Sequence, residues 1–245
     1  MFYKKLTTNC FFSLKEQYLL THNQNGREYW LDKLSKSRQK KLTYNNMHLA
    51  KNMQFTEENG IPIVNRYTGP VDFNVFPFAE RKKHSGIQEG LHFFTDDYKY
   101  CSAITANLER TTYSMINYDF LYEPDCSLYV GDKKGFNIQS IIISRFAAAY
   151  WQSCGFNVIP VASWGDVNSF EYCFEGLPTE SVIAVCGIGH SHCTAAKTLW
   201  EYAINTLVTL KHPTHLIIFG GNDIPKIDLP VTHIKDYINT KLRTL

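Results

Sequence analysis

The chain has 245 residues, of which 44% are apolar, 14% aromatic and 20% charged, with a formal net charge of +2. These proportions exclude a disordered chain, and 14 Gly with 9 Pro exclude a collagen-like or low-complexity one. A chain of this length buries roughly 70–75% of the surface it exposes when unfolded, so a core forms without disulfide or metal staples.

The net charge is a sum over unlike parts. Residues 1–90 carry 14 Lys/Arg against 8 Asp/Glu, whereas residues 91–245 carry 11 against 15. Residues 1–70 read as a basic, helical N-terminal segment, with helix-like apolar spacing over 11–20 and 29–34 and a turn at Asn23–Gly26. Within it, Lys33, Lys36, Arg38, Lys40 and Lys41 form a run without an acid. Such a run either tracks nucleic-acid phosphates or forms a solvated helix face. No aromatic residue alternates with its basic residues, as single-strand stacking would want. The positive start is not followed by a signal-peptide apolar region, and no stretch approaches the ~20 apolar residues of a membrane span. Seven cysteines, an odd number with no C-x-x-C pair, argue for reduced thiols rather than a disulfide scaffold or zinc ribbon. A cytoplasmic protein without a membrane partner is expected.

From residue 71 short apolar runs alternate with amphipathic stretches, the signature of βα units and a mainly parallel sheet. Strands are expected at 71–76, 91–94, 116–121, 157–162, 182–186 and 215–219, and helices at 139–153, 168–174 and 194–210. Gly155 and Pro213 punctuate the ends of the two long helices. The expected fold of 71–245 is therefore α/β, a TIM-barrel-like or incomplete barrel. A doubly wound open sheet is the alternative.

Parallel α/β proteins bind ligands at the carboxyl ends of their strands. Reading past each expected strand gives Asp97, then Asp125 with Ser127, Ser163-Trp164-Gly165-Asp166, Gly187 to Thr194, and Gly220 to Asp223. Asp97, Asp125 and Asp166 are candidates for acid/base work or for holding ligand hydroxyls. Asp166 equally suits a helix cap. Gly187 and Gly189, ahead of a helix opening at Thr194, resemble a phosphate-cradling loop that lacks its third glycine. The alternative is a plain tight turn. His190 and His192 suit a shared metal ion or simple hydrogen bonding, and Cys186 or Cys193 a nucleophile or packing. Trp164 offers a stacking face to a sugar or base. No motif names a cofactor or a redox reaction, and the absence of G-x-x-x-x-G-K-[ST] argues against a P-loop nucleotidase.

Three stretches carry a resemblance. They are Leu91-His-Phe-Phe-Thr-Asp-Asp97-Tyr98, then Tyr122-Glu-Pro-Asp125-Cys-Ser127-Leu-Tyr129, and the long block from Arg145 through Tyr150-Trp151-Gln152, Val158-Ile-Pro160 and Ser163-Trp164-Gly165-Asp166 to Pro178. Together with Ser181 to Gly189 they resemble a domain-of-unknown-function family found in bacteria, phages and other mobile elements. The match covers about 60–220. Cys186-Gly187 stands where that family usually has Ser-Thr, and the His190-Ser-His192 element is not one of its features. The resemblance implies a cytoplasmic, mobile-element-associated α/β protein and brings no established activity. Its motifs add Arg145 and Gln152 to the ligand-binding candidates Ser127, Ser163, Trp164, Gly187, Gly189, Thr194 and Asn222.

The leading expectation is a protein that binds a small phosphorylated, nucleotide-like ligand at the strand ends, with hydrolysis or group transfer as its chemistry. The rivals are a nucleic-acid-binding protein of a replication or mobile-element system, acting through Lys36, Arg38, Lys40 and Lys41, and an inhibitor of a host factor.

Overall fold

The structure is a computed structural model and describes residues 35, 46–190 and 192–235. The chain divides into two compact units, residues 1–51 and 52–245. The expected N-terminal helices and the contact residues Lys36, Arg38, Lys40 and Lys41 lie outside the described residues.

The described residues of the second unit form eight strands: β1 (Asn74–Pro77), β2 (Glu89–His92), β3 (Phe120–Tyr122), β4 (Asn157–Ile159), β5 (Val161–Ala162), β6 (Val182–Cys186), β7 (His215–Phe219) and β8 (Val231–Ile234). Four α-helices accompany them: α1 (Cys101–Ala106), α2 (Leu108–Tyr113), α3 (Lys134–Ser153) and α4 (Thr194–Lys211). None of the described helices is long and apolar enough to cross a membrane. All six expected strands are present in whole or in part, and both expected long helices are. The expected helix at 168–174 is a 3-10 turn over Val167–Glu171.

The strands form two four-stranded sheets, β1-β2-β3-β4 and β5-β6-β7-β8, with every pairing parallel and spatial order equal to chain order. The expected single strand over 157–162 is divided between them at Pro160, which has no N–H to donate to a ladder. On one side Glu123 N donates to Ile159 O at 2.9 Å, and on the other Ala184 N donates to Pro160 O at 2.8 Å. The proline thus passes the chain from one sheet to the next.

Alternation along the strands sorts their side chains into two cores. Ala162, Ile183, Val185, Leu216 and Ile218 face the helices and pack with Ile141 of α3 and with Trp200, Ile204 and Leu207 of α4. The opposite set, Tyr122, Ile159, Val161, Val182, Ala184, Ile217 and Phe219, packs with Tyr67 and Phe94 in an inner core. Near-continuous apolar runs in β6 and β7 follow from burial on both faces.

Rings from β7 and from in and just after β2 meet in that inner core. Phe94 and Phe219 stack at 4.4 Å, and His92 lies 4.6 Å from Phe219. Those strands belong to different sheets, so the two sheets curve around one interior as in a barrel. Among the described residues β1 and β8 are not paired with each other, which leaves an incomplete barrel rather than a closed one. The strand order also lacks the reversal of a doubly wound sheet.

Candidate functional site

The loops after β3, β5 and β6 enclose a pocket of about 170 Å³ lined by Asp125, Ser127, Leu128, Ala162, Ser163, Trp164, Cys186, Ile188 and His190. Its place at the carboxyl ends of parallel strands is where such folds bind ligands. Four sequence candidates, Asp125, Ser127, Ser163 and Trp164, meet in its wall.

Asp125 is the pocket's central titratable group. Ser163 Oγ donates a hydrogen bond to its carboxylate. Burial pushes the Asp125 carboxyl up to about 6; the Ser163 hydrogen bond pulls the other way, and the negative charges of Asp97 and Glu123 push further up. A carboxyl so placed exchanges its proton near neutral pH.

Asp97 stands behind this wall. Its Oδ2 accepts a hydrogen bond from Ser127 N at 3.1 Å, and its Oδ1 lies 2.9 Å from the hydroxyl of Tyr100. The same hydroxyl lies 2.7 Å from the carbonyl oxygen of Asp125. Asp97 therefore holds the loop after β3 in place and adds negative charge beside Asp125. Tyr100, fully buried, is a positioning residue that the strand-end rule did not find.

The other wall is aromatic. His190 stacks on Trp200 at 4.4 Å, and Trp164 lies 5.5 Å from Trp200 and 5.8 Å from His190. His190 Nε2 is 3.0 Å from the carbonyl oxygen of Cys186, which only accepts, so Nε2 carries the hydrogen and Nδ1 the lone pair. Burial lowers the His190 pKa, which keeps the ring neutral at physiological pH. Among the described residues the buried indole Nε1 of Trp164 has no hydrogen-bond partner, an unmet donor beside the pocket.

The remaining candidates lie elsewhere. Asp166 Oδ1 accepts from Asn168 N at 3.0 Å and Ser169 N at 3.3 Å, capping the 3-10 turn. Arg145 is 2% exposed and ion-paired to Glu123, itself 0% exposed; its guanidinium also donates to the carbonyls of Val161, Cys173 and Glu175. Burial pushes the Glu123 carboxyl up, while Arg145 and the Val161 N–H, donated at 3.0 Å, pull it down. Gln152 lies near the end of α3 that feeds β4, away from the strand carboxyl ends, and its amide clips the N–H and C=O of Asn65.

Gly187 is needed for packing. A Cβ there would meet Gly220 O at 2.7 Å, and one on Gly221, at φ +68°, would meet Gly187 O at 2.2 Å. Gly189, at φ +88°, faces open space and lies between the pocket residues Ile188 and His190. Thr194 is the exposed first residue of α4, and Asn222 is exposed beyond β7. Among the described residues no group of three or more His, Cys, Asp or Glu side chains is placed to hold a metal ion.

Two phage proteins resemble this chain. The Gene 1 protein of Mycobacterium phage L5 is 31% identical over 148 residues, covering 60% of this chain and 63% of that protein. The Gene 1 protein of Mycobacterium phage D29 is 26% identical over 152 residues, covering 62% of this chain and 56% of that protein. The alignments thus span about three-fifths of each relative's length. No solved structure matches. A domain of unknown function, DUF4417, matches residues 53–238, a range that takes in all eight strands and the whole pocket wall; the chain belongs to that family.

Proposed function

We propose that the pocket formed by the loops after β3, β5 and β6 binds a small phosphorylated ring compound of the nucleotide kind, and that Asp125 exchanges a proton with it in a hydrolysis or group-transfer step. The observation that carries this reading is the Asp125–Ser163 pair in the pocket wall, with the carboxyl pushed up to about 6. A carboxyl raised by burial and by neighbouring charges in a concave site is a candidate for acid/base work.

A volume of about 170 Å³ is below the range of roughly 300–1,000 Å³ for drug-sized ligands and suits a single ring. The unmet Trp164 N–H asks for an acceptor on that ring, and the Asp125 and Ser163 oxygens for its hydroxyl or N–H groups. A phosphate attached to the ring would reach the exposed start of α4 at Thr194, which supplies N–H donors.

Titration calorimetry of the full chain against nucleosides, nucleotides and sugar phosphates tests this. Binding of at least one phosphorylated compound is expected, weakened at least tenfold by Trp164→Ala and by Asp125→Asn. Equal affinity in wild type and both variants would place the ligand elsewhere and overturn the reading.

A further inference from the structure

A second concavity lies at the amino ends of the strands, opposite the candidate site. Asp119 stands just before β3 and Phe156 just before β4; with Glu109 and Tyr113 of α2, Ile116 and Tyr118 they line a cavity of about 460 Å³. That volume falls within the range of small-ligand sites, roughly 300–1,000 Å³. We propose that this cavity binds an organic cation with a quaternary ammonium group, of the choline or trimethyl-lysine kind.

The charged residues in its wall are both acids, Glu109 and Asp119, and among the described residues no Lys, Arg or His lines it. Arg81, whose carbonyl oxygen accepts from the Tyr118 hydroxyl at 2.7 Å, has its guanidinium engaged by the Phe78 ring at 4.0 Å and by Ser114 Oγ at 3.2 Å. The rest of the wall is largely aromatic. Rings of the inner core stack on one another, as Phe94 does on Phe219. Among the described residues Tyr113, Tyr118 and Phe156 have no such ring partner. Tyr113 is 76% exposed and Ile116 63%, so large side chains stand uncovered at the mouth.

Ring faces and carboxylates both attract positive charge, the rings through their quadrupole. Hydration decides which cation they suit. A hard dication takes six or more oxygen ligands, and among the described residues no group of three or more His, Cys, Asp or Glu side chains is placed to hold a metal. A primary ammonium is compact and strongly hydrated, and ring faces do not replace the water it would lose. A guanidinium seeks both oxygens of a carboxylate, but Asp119 Oδ2 already accepts from Gln88 N at 2.6 Å. A quaternary ammonium has no N–H to satisfy and is weakly hydrated, so rings with nearby carboxylates hold it best. This site is remote from Asp125 and does not depend on the ligand-binding reading above.

The test is an amide-detected NMR titration of the full chain with choline and with its neutral isostere, 3,3-dimethyl-1-butanol. Choline is expected to move the amides of Tyr113, Ile116 and Phe156 saturably. The isostere is expected to bind roughly tenfold more weakly, because it lacks the charge that the rings attract. Glu109→Gln and Tyr113→Ala, both at exposed positions, are each expected to weaken choline binding. N-acetyl trimethyl-lysine amide distinguishes the source of the group. Tighter binding than choline would place it on a protein partner, and weaker binding on a free small cation, either result upholding the site. The proposal is overturned if the isostere binds as well as choline, if N-acetyl arginine amide binds more tightly than both ammonium probes, or if no saturable shift appears at these amides. The ligand comparison on the wild-type chain decides the matter without any variant.

Discussion

Asp125 carries a cost that a carboxylate serving only to shape a loop would not. Its folded pKa of about 6 exceeds the ordinary 3.8, so the native state holds this proton more tightly than the unfolded chain does. The stability this contributes is fully present below about pH 4 and is lost as pH rises through about 6. At 1.36 kcal/mol per unit, and discounted because the residue keeps partial exposure, the loss is about 1–3 kcal/mol. Asp125→Asn preserves the side chain's shape and an oxygen to accept from Ser163, but carries no charge at any pH. In urea unfolding the gap between variant and wild type is expected to shift in favour of the variant by that amount between pH 4 and pH 8. Ligand binding is expected to fall over the same substitution. A gap that stays constant with pH would show that the Asp125 carboxyl is unperturbed, and would remove the main support for an acid/base role.

Between elements, the break at Pro160 is held by the buried Arg145–Glu123 pair. Glu123, just past β3, accepts the Val161 N–H, while Arg145 of α3 donates to the Val161 carbonyl and to the segment around Cys173. The pair thus fastens β3, β5, α3 and the chain before β6 at the point where one sheet gives way to the other. Removing one partner of such a pair strands a buried charge, at a cost of about 3–5 kcal/mol. Arg145→Met is expected to lower stability by that amount in denaturant unfolding, and Glu123→Leu in the same chain to recover part of it. An Arg145→Met loss below about 1 kcal/mol would mean that the pair fastens nothing.

None of this was legible from the spacing of residues, because burial of Arg145 depends on four segments meeting. What was legible had a local signal. The apolar runs of β6 and β7 and the stripes of α3 and α4 declare themselves, and reading past strand ends located Asp125, Ser127, Ser163 and Trp164. By contrast, α1 and α2 have six residues each, too few to show a period, and β8 has only four, with Thr232 and His233 side by side between Val231 and Ile234. The glycines at 187 and 189 looked alike in sequence. Only the approach of Gly220 O to Gly187 shows that one is required for packing.

In the second unit as a whole, the barrel is joined by backbone hydrogen bonds within each sheet but by side chains across its interior. Phe219 touches Phe94, His92 and Tyr122, so one ring on β7 bridges to residues of the other sheet. Among the described strands, β1 and β8 each have one paired neighbour, whereas β2, β3, β6 and β7 have two. Amide hydrogen exchange reads both features, since a strand amide exchanges when its local unit opens. Protection is expected to be highest in β2, β3, β6 and β7 and lower in β1 and β8. Phe219→Ala would remove a buried ring and cost about 3–5 kcal/mol. Because Phe219 packs against both sheets, protection should fall in β2 and β3 as much as in β6 and β7. A fall confined to β6 and β7 would show instead that the two sheets open independently, and that the inner aromatic core does not join them into one cooperative barrel.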